Sequence, residues 1–467
     1  MERPCAWNSY DTDSLACLEA LNERYRRFIS ENKTERECVA AAVKMAKDAG
    51  YKDLAEAVAA GQPVAAGDKF YVNTRGKALA LFCVGTEPLE AGLNILGAHV
   101  DSPRLDIKQN PLYEKADLAF LDTHYYGGLK SSLWVATPLA IHGVVAKKDG
   151  SVVNVCVGED PQDPVFCISD ILIHLAQDQM KKTHAEAVDH ENLDIIVGGR
   201  PLVEEGDKDA EKGEAVKNLL LSILGERYDI AEEDLLSAEL EVVPAGPARE
   251  MGFDRSMILG YGQDDRVCAY TSLEAMLAVE APSRTNACLL VDKEEIGSVG
   301  ATGMQALYFE NALAELMELA GEGGSLKLHR ALANSRMLSS DVSAGFDPAY
   351  ADRFEEKNSA FLGRGLCFNK FTGSRGKTGS NDADAEYVAQ IRAIMDNAQV
   401  AFQTCELGRV NVGGGGTIAF ILARYGMKVI DSGVAVLSMH SLWEVVNKAD
   451  VFEAFKGYKA FLNSPEA

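Results

Sequence analysis

The chain has no apolar run approaching the roughly 18 residues of a membrane-spanning helix. Its opening segment, MERPCAWNSYDTDSL, has no apolar stretch of the signal-peptide kind. A cytoplasmic protein is the expectation. The ten Cys stand singly, at 5, 17, 38, 83, 156, 167, 268, 288, 367 and 405, and none forms a Cys-x-x-Cys pair. Most lie in apolar runs, such as Cys288 in NACLLV. Reduced, mostly buried thiols follow, not a disulfide framework. Positive charge is scarce: 46 Lys and Arg against 70 Asp and Glu leave a net charge of −24. That argues against nucleic acid, whose phosphates need a basic surface, and against anionic membranes. An anionic substrate would need a local basic pocket against the mean field.

What is present is a long chain of ordinary globular composition. Its 467 residues can bury a large core and fill two or three domains. Leu15, Leu18, Leu21, Tyr25 and Phe28 recur at helical spacing, which predicts a helix over 13–30. Thr34 and Glu37 form a capping box at the head of a second helix. Residues 69–85 read as a hairpin and 93–100 as a buried strand ending at His99. From about 106 to 245 the texture changes. Short β-like runs (SLWVATPLAIHGVVAK, SVVNVCVG) precede a helix-like ISDILIHLAQDQMKK, a charged loop at 203–214 and a helix at EAVKNLLLSILGERY. After 255 an α/β pattern resumes, with helices at about 303–319 and 324–335 and strands ending near Glu294 and at Asp341. The expected fold class is α/β. A mixed central sheet flanked by helices, over 1–105 and 246–467, is interrupted by a smaller β-rich domain over 106–245.

Five side chains able to hold metal stand in telling local sequences: His99 in ILGAHVDSPRLD, Asp264 in GYGQDDRVCAY, Glu295 in VDKEEIGS, Asp341 in LSSDVSAG and His440 in LSMHSLWE. Two His and three carboxylates suit a pair of zinc ions sharing one carboxylate. Cobalt or manganese could serve the same donors. In His99-x-Asp101 the acid can orient the imidazole, although a core His beside a polar turn reads the same way. The pair Asp264-Asp265 is equally an N-cap with its dipole partner. Both readings hold if Asp264 bridges metal while Asp265 caps the helix. Glu294-Glu295 follows the apolar strand ACLLVD, where two buried acids cost much desolvation unless a cation compensates. Neighbours on an extended chain face opposite sides. Glu295 can therefore hold metal while Glu294 acts as a base; a surface turn with two acids is the plain alternative. Asp341 and His440 each follow apolar runs, as core residues also do.

Other motifs fail on their spacing. Gly376-Lys377-Thr378 ends like a P-loop, but the first glycine of that motif would be Phe371. The run Gly413–Gly416 has no Gly-x-Gly-x-x-Gly behind a strand. There is no Gly-x-Ser-x-Gly elbow for a serine hydrolase.

The elements AHVDSPRLD, Asp264-Asp265, DKEEIGS and SMHS, in this order, resemble the M18 family of metallo-aminopeptidases, best known for aspartyl aminopeptidase. The resemblance runs over nearly the whole chain and looks closer to bacterial members. It implies a zinc peptidase domain interrupted by a dimerisation domain, and tetrahedral dodecamers built from dimers. It implies that His99 and Asp341 hold one metal, Glu295 and His440 the other, and that Asp264 bridges them. Glu294 would be the base and Asp101 would orient His99. His174, in DILIHLAQ, is similar to a family histidine that enters a neighbouring subunit's active site; a helix-face His at the surface of the insertion is the other reading. Eukaryotic members carry an Asn-Gln-Arg-Tyr-Ala-Thr-type segment where this chain has FNKFTGSRGKTGSND. Lys370, Arg375 and Lys377 there offer cations for an acidic side chain, while the departure leaves the preferred N-terminal residue open. The expected activity is removal of N-terminal residues from peptides. A two-metal deacylase of N-blocked amino acids and a non-catalytic metal-stabilised assembly are the alternatives.

Overall fold

A computed structural model describes residues 3–202, 214–373 and 378–465. The chain divides into two compact units: Met1–Asp101, Ala248–Met439 and Trp443–Ala467 make the first, and Ser102–Pro247 with His440–Leu442 make the second. These limits lie a few residues outside the 106–245 read from sequence, and the second unit also takes His440.

The first unit opens with α1 (Thr12–Glu31) and α2 (Glu35–Asp48). The predicted capping box is made: Thr34 accepts the Glu37 N–H, and the Glu37 carboxylate accepts that of Thr34. There follow β1 (Lys52–Asp53), α3 (Leu54–Ala60), the antiparallel hairpin β2 (Lys69–Thr74) and β3 (Ala78–Cys83), and β4 (Asn94–His99).

The second unit is built on a six-stranded antiparallel sheet. Its strands are β5 (Arg104–Lys115), β6 (Leu118–Tyr126), β7 (Leu139–Ala146), β8 (Val152–Val157), β9 (Ile195–Gly198) and β10 (Ala238–Pro244). Their order is β8-β7-β10-β5-β6-β9, with α4 (Ala215–Tyr228) between β9 and β10 in the chain. The stretch ISDILIHLAQDQMKK is not a helix, contrary to its pattern. It makes only short 3-10 turns at Ile173–Leu175 and Gln179–Lys181. Ile171, Leu172, Ile173 and Leu175 all stand exposed, so no buried face rewards helix formation. Asp170 meanwhile accepts the Ile171 N–H and the Gln179 amide, favouring a turn. Most of the charged loop predicted at 203–214 lies outside the described residues.

The first unit resumes with β11 (Arg249–Met251), β12 (Met257–Gly260), α5 (Gln263–Leu277), β13 (Asn286–Val291), α6 (Tyr308–Leu319), α7 (Ser325–Ala333) and β14 (Arg336–Ser340). Then come β15 (Ser343–Ala344), β16 (Leu366–Asn369), α8 (Ala385–Asn397), β17 (Phe402–Cys405), α9 (Ala419–Ala423), β18 (Lys428–Gly433), β19 (Ala435–Leu437), β20 (Glu444–Asn447) and α10 (Lys448–Leu462). The helix expected from about 303 starts only at Tyr308. A nine-stranded mixed sheet runs β1-β2-β3-β13-β4-β14-β18-β16-β17, and a five-stranded sheet runs β11-β12-β20-β19-β15.

Helices cover both faces of the large sheet, so its central strands are apolar on both sides. In β13, Cys288 and Leu290 enter the core on one face, while Ala287, Leu289 and Val291 enter the core on the other. β13, β4, β14 and β18 run parallel. β4 lies between β13 and β14, two strands that come later in the chain. This is a switch point, where open α/β sheets place their sites beyond the carboxyl ends.

Candidate metal centre

Three adjacent parallel strands deliver side chains to one end of the sheet. β4 ends on His99, β14 is followed at once by Asp341, and β13 leads into the short 3-10 turn Glu294–Ile296. Lys293 and Gly297 flank that turn with φ of 67° and 95°. The two Glu therefore stand on a helical turn, not on the extended chain that the sequence suggested. They diverge because successive residues of a 3-10 turn are set about 120° apart.

Asp101 organises this corner. Its carboxylate is fully buried and accepts the backbone N–H of Glu294 at 3.2 Å and of Glu295 at 3.2 Å, one on each oxygen. Nδ1 of His99 lies 3.0 Å from the Asp101 carbonyl and 3.4 Å from its carboxylate. The ring thus lies nearer the backbone oxygen, and the carboxylate clamps the Glu-Glu turn.

Nε2 of His99 points the other way, 3.2 Å from Oδ1 of Asp264. Asp264 and Asp265 open α5 with non-helical dihedrals and a cis peptide between them. The Asp264 N–H donates to Glu444 at 3.1 Å. Asp265 does not cap the helix, as was expected; its carboxylate turns inward to His99 and Asp341. One ligand atom from each of His99, Asp265 and Asp341 lies within 4.8 Å of the others, and so do those of His99, Glu294 and Glu295. Behind them sits the fully buried guanidinium of Arg266. It donates to the carbonyls of Val100 (3.2 Å), Lys33 (2.6 Å) and Tyr261 (3.5 Å), tying the end of β4 to the start of α5. Sequence reasoning missed Arg266 and Glu444; only their nearness to adjacent acids or to a strand end could have flagged them.

The electrostatics are those of a cation site. Burial opposes charge on His99, but hydrogen bonds to Asp101 and Asp264 hold its pKa well above the ordinary value. Burial pushes Asp265 well up, with Asp264 adding to it and His99 opposing. Burial also raises Asp341, reinforced by Asp265 and Asp264. Neither Asp265 oxygen accepts a hydrogen bond of ordinary geometry, although the Cys268 thiol lies beside it. Buried carboxylates crowded around one imidazole lack positive charge, and a divalent cation supplies it. Imidazole with carboxylate oxygens is a donor set that fits zinc.

His440 groups with the second unit, where its Nδ1 lies 2.9 Å from the Gly128 carbonyl and its backbone is left-handed, φ 62°. His174 is exposed on the first 3-10 turn of that unit. Lys370 forms a short ion pair with Asp382. It follows β16, which runs antiparallel to β18 and so leaves the sheet toward the amino ends of β4 and β14. Arg375 and Lys377 lie outside the described residues.

The family described as aminopeptidase I zinc metalloprotease (M18) matches residues 28–462. The chain belongs to the M18 family. It is 57% identical over 459 residues to a probable M18 family aminopeptidase 1 of Clostridium acetobutylicum, covering 98% of each chain. A counterpart from Thermotoga maritima is 42% identical over 463 residues, covering 99% of each. A crystal structure of the M18 aminopeptidase from Thermotoga maritima superposes with a TM-score of 0.93 at 41% identity, covering 99% of both chains. Aminopeptidase I from Clostridium acetobutylicum superposes at 0.92 with 55% identity, covering 99% of this chain and all of the other. The protein is a zinc-dependent metallo-aminopeptidase with the mixed α/β fold of its relatives.

Proposed function

We propose that this M18 aminopeptidase removes single residues from the free N-terminus of peptides at a centre for two metal ions. In this reading His99 and Asp341 hold one ion, Glu295 and His440 the other, and Asp264 bridges both. The observation that carries it is the clamp by which Asp101 fixes the Glu294-Glu295 turn beside His99. Asp265, turned inward among these groups, adds negative charge behind the ligands. Zinc bound there would polarise the scissile carbonyl and acidify a water.

The residues then do the proton work. Glu294 accepts a proton as water attacks the carbonyl carbon. It passes that proton to the departing amide nitrogen as the C–N bond breaks, leaving a free amino acid and a peptide shortened by one. Acids near the centre receive the substrate's α-ammonium, which confines cleavage to the first bond. An acidic side chain read by Lys370 would have to displace Asp382. A broad preference among N-terminal residues is therefore the reading favoured for this chain.

The second unit is proposed as the assembly unit, with His174 reaching a neighbouring active site. A relative of the same fold, at 21% identity, is described as a dodecamer, and the same state is proposed here. Ten free cysteines suit a reducing compartment, the cytoplasm.

Glu294→Gln tests the chemistry. The expected outcome is a loss of about 10²–10⁴ in kcat/KM on free-amine peptides, with bound metal unchanged. Near-parental turnover with metal in place would falsify the base assignment.

A further inference from the structure

Glu444 opens β20, where it stands opposite Gly260, the last residue of β12. Two residues beyond Gly260 the chain turns into α5 at Gly262, whose φ is left-handed at 71°. Gly262 is the N-cap of that helix and has no side chain to accept from its first N–H groups. Those groups need acceptors from elsewhere. The Asp264 N–H finds one in Oε2 of Glu444, at 3.1 Å. Glu444 is only 2% exposed. A carboxylate so buried is costly unless donors and positive charge meet it. The Asp264 amide and the positive end of α5 are part of what meets it here.

The residue before Asp264 is held as firmly. Gln263 is fully buried. Its side-chain nitrogen donates to the Ile258 carbonyl at 3.2 Å, and its side-chain oxygen accepts from the Tyr25 hydroxyl. The Gln263-Asp264 peptide is therefore pinned from α1, from β12 and from β20. Of the three anchors, Tyr25 and the Ile258 carbonyl are neutral and Glu444 is the acid. It alone acts on the amide of Asp264 itself. With that amide fixed, the Asp264 side chain has little freedom beyond its own rotamers, and its Oδ1 lies 3.2 Å from Nε2 of His99.

We infer that Glu444 is a positioning residue for the reaction: by holding the Asp264 amide it aims the Asp264 carboxylate at the metal centre. This rests on the reading of Asp264 as the bridge between two ions. Glu444 touches neither metal nor substrate in that scheme. A carboxylate shared by two ions transmits an error in its placement to both of them. An error at His99, Asp341, Glu295 or His440 begins with one.

Three variants of the full-length chain separate reach from charge. Glu444→Gln keeps an oxygen at the same reach and loses the charge. Glu444→Asp keeps the charge and falls one methylene short. Glu444→Ala has neither. Competitive zinc titration should show both ions weakened about 10–100-fold in Glu444→Ala, less in Glu444→Asp and least in Glu444→Gln. With zinc raised until both sites refill, kcat of Glu444→Ala should stay below parent while KM hardly moves. The rise in melting temperature on adding zinc should shrink by more than the metal-free melting temperature shifts. Parental zinc affinity in Glu444→Ala, a loss confined to one ion, or Glu444→Asp binding better than Glu444→Gln overturns the inference. So does a metal-free chain that loses as much stability as the loaded one, which marks a plain structural part. Asp264→Ala is the reference. If it keeps both ions, or if the parent binds one zinc per chain, the two-ion reading falls and not merely the part given to Glu444.

Discussion

Asp101 makes the sharpest prediction for a single side chain outside the ligand set. It touches neither substrate nor metal in the proposed mechanism, yet it holds His99 and the Glu294-Glu295 turn together. Asp101→Ala should lower zinc affinity and kcat/KM by about 10–100-fold, read by competitive zinc titration alongside kinetics. Asp101→Asn keeps one acceptor and should fall between parent and Ala. Arg266 has a purely structural part. Arg266→Ala leaves three buried carbonyls without their donor and should cost about 2–4 kcal/mol, read as a lowered denaturation midpoint. Arg266→Lys should not restore it, because an ammonium cannot span carbonyls set around a planar fork. Neither residue announced itself equally in the sequence. Asp101 sits two positions from a strand-end His, a spacing with a known use. Arg266 is one of many arginines, and its role depends on which carbonyls the fold brings to it.

At the scale of elements, the contact between β18 and the loop after β14 is tight. A Cβ built on Gly433 would lie 1.8 Å from the Asp341 carbonyl oxygen. Gly433→Ala should therefore displace Asp341, costing about 1–3 kcal/mol of stability and weakening zinc binding; calorimetry with metal analysis of the purified variant checks both. At the start of α10, Asp450 accepts the N–H groups of Gly363 and Gly365, and burial pushes its pKa up to about 7. The unfolded chain holds this carboxyl near 3.8. Between those values the folded chain binds a proton that the unfolded chain has lost, so this group's stabilisation falls as pH rises toward 7. Asp450→Asn should flatten the melting temperature against pH between pH 5 and 8, with its deficit relative to parent smallest at pH 8. Helices and strands with clear period and caps, such as α1, α2 and β4, were legible because one face or both faces had core to meet. The segment around His174 was not. It carries the apolar spacing of a helix, but its own unit gives that spacing nothing to pack on. The Glu-Glu turn was legible in chemistry and misread in geometry, since a left-handed Lys293 ends the strand before either acid.

For the whole molecule, metal and charge set the expectations. Chelation removes the cation that offsets the buried acids, so the melting temperature should drop and recover on adding zinc, rising with the logarithm of free zinc once the site is filled. No drop after complete removal of metal would contradict a cation site at these residues. Among the described residues no helix is long and apolar enough to cross a membrane. Composition alone had bounded the molecule as acidic and rich in free thiols. It could not say that contacts would group His440 with Ser102–Pro247, because that depends on the Gly128 carbonyl meeting its ring.

The placement of the acids and imidazole on strands far apart in the chain also bears on how the enzyme is made. A ribosome adding roughly 5–20 residues per second needs tens of seconds to pass from His99 to Asp341, and longer to reach His440. Until then no nascent fragment owns the complete ligand set proposed above. A peptidase emerging among other unfinished chains, each with an exposed N-terminus, is thus silent throughout its own synthesis, and truncated products are born inert.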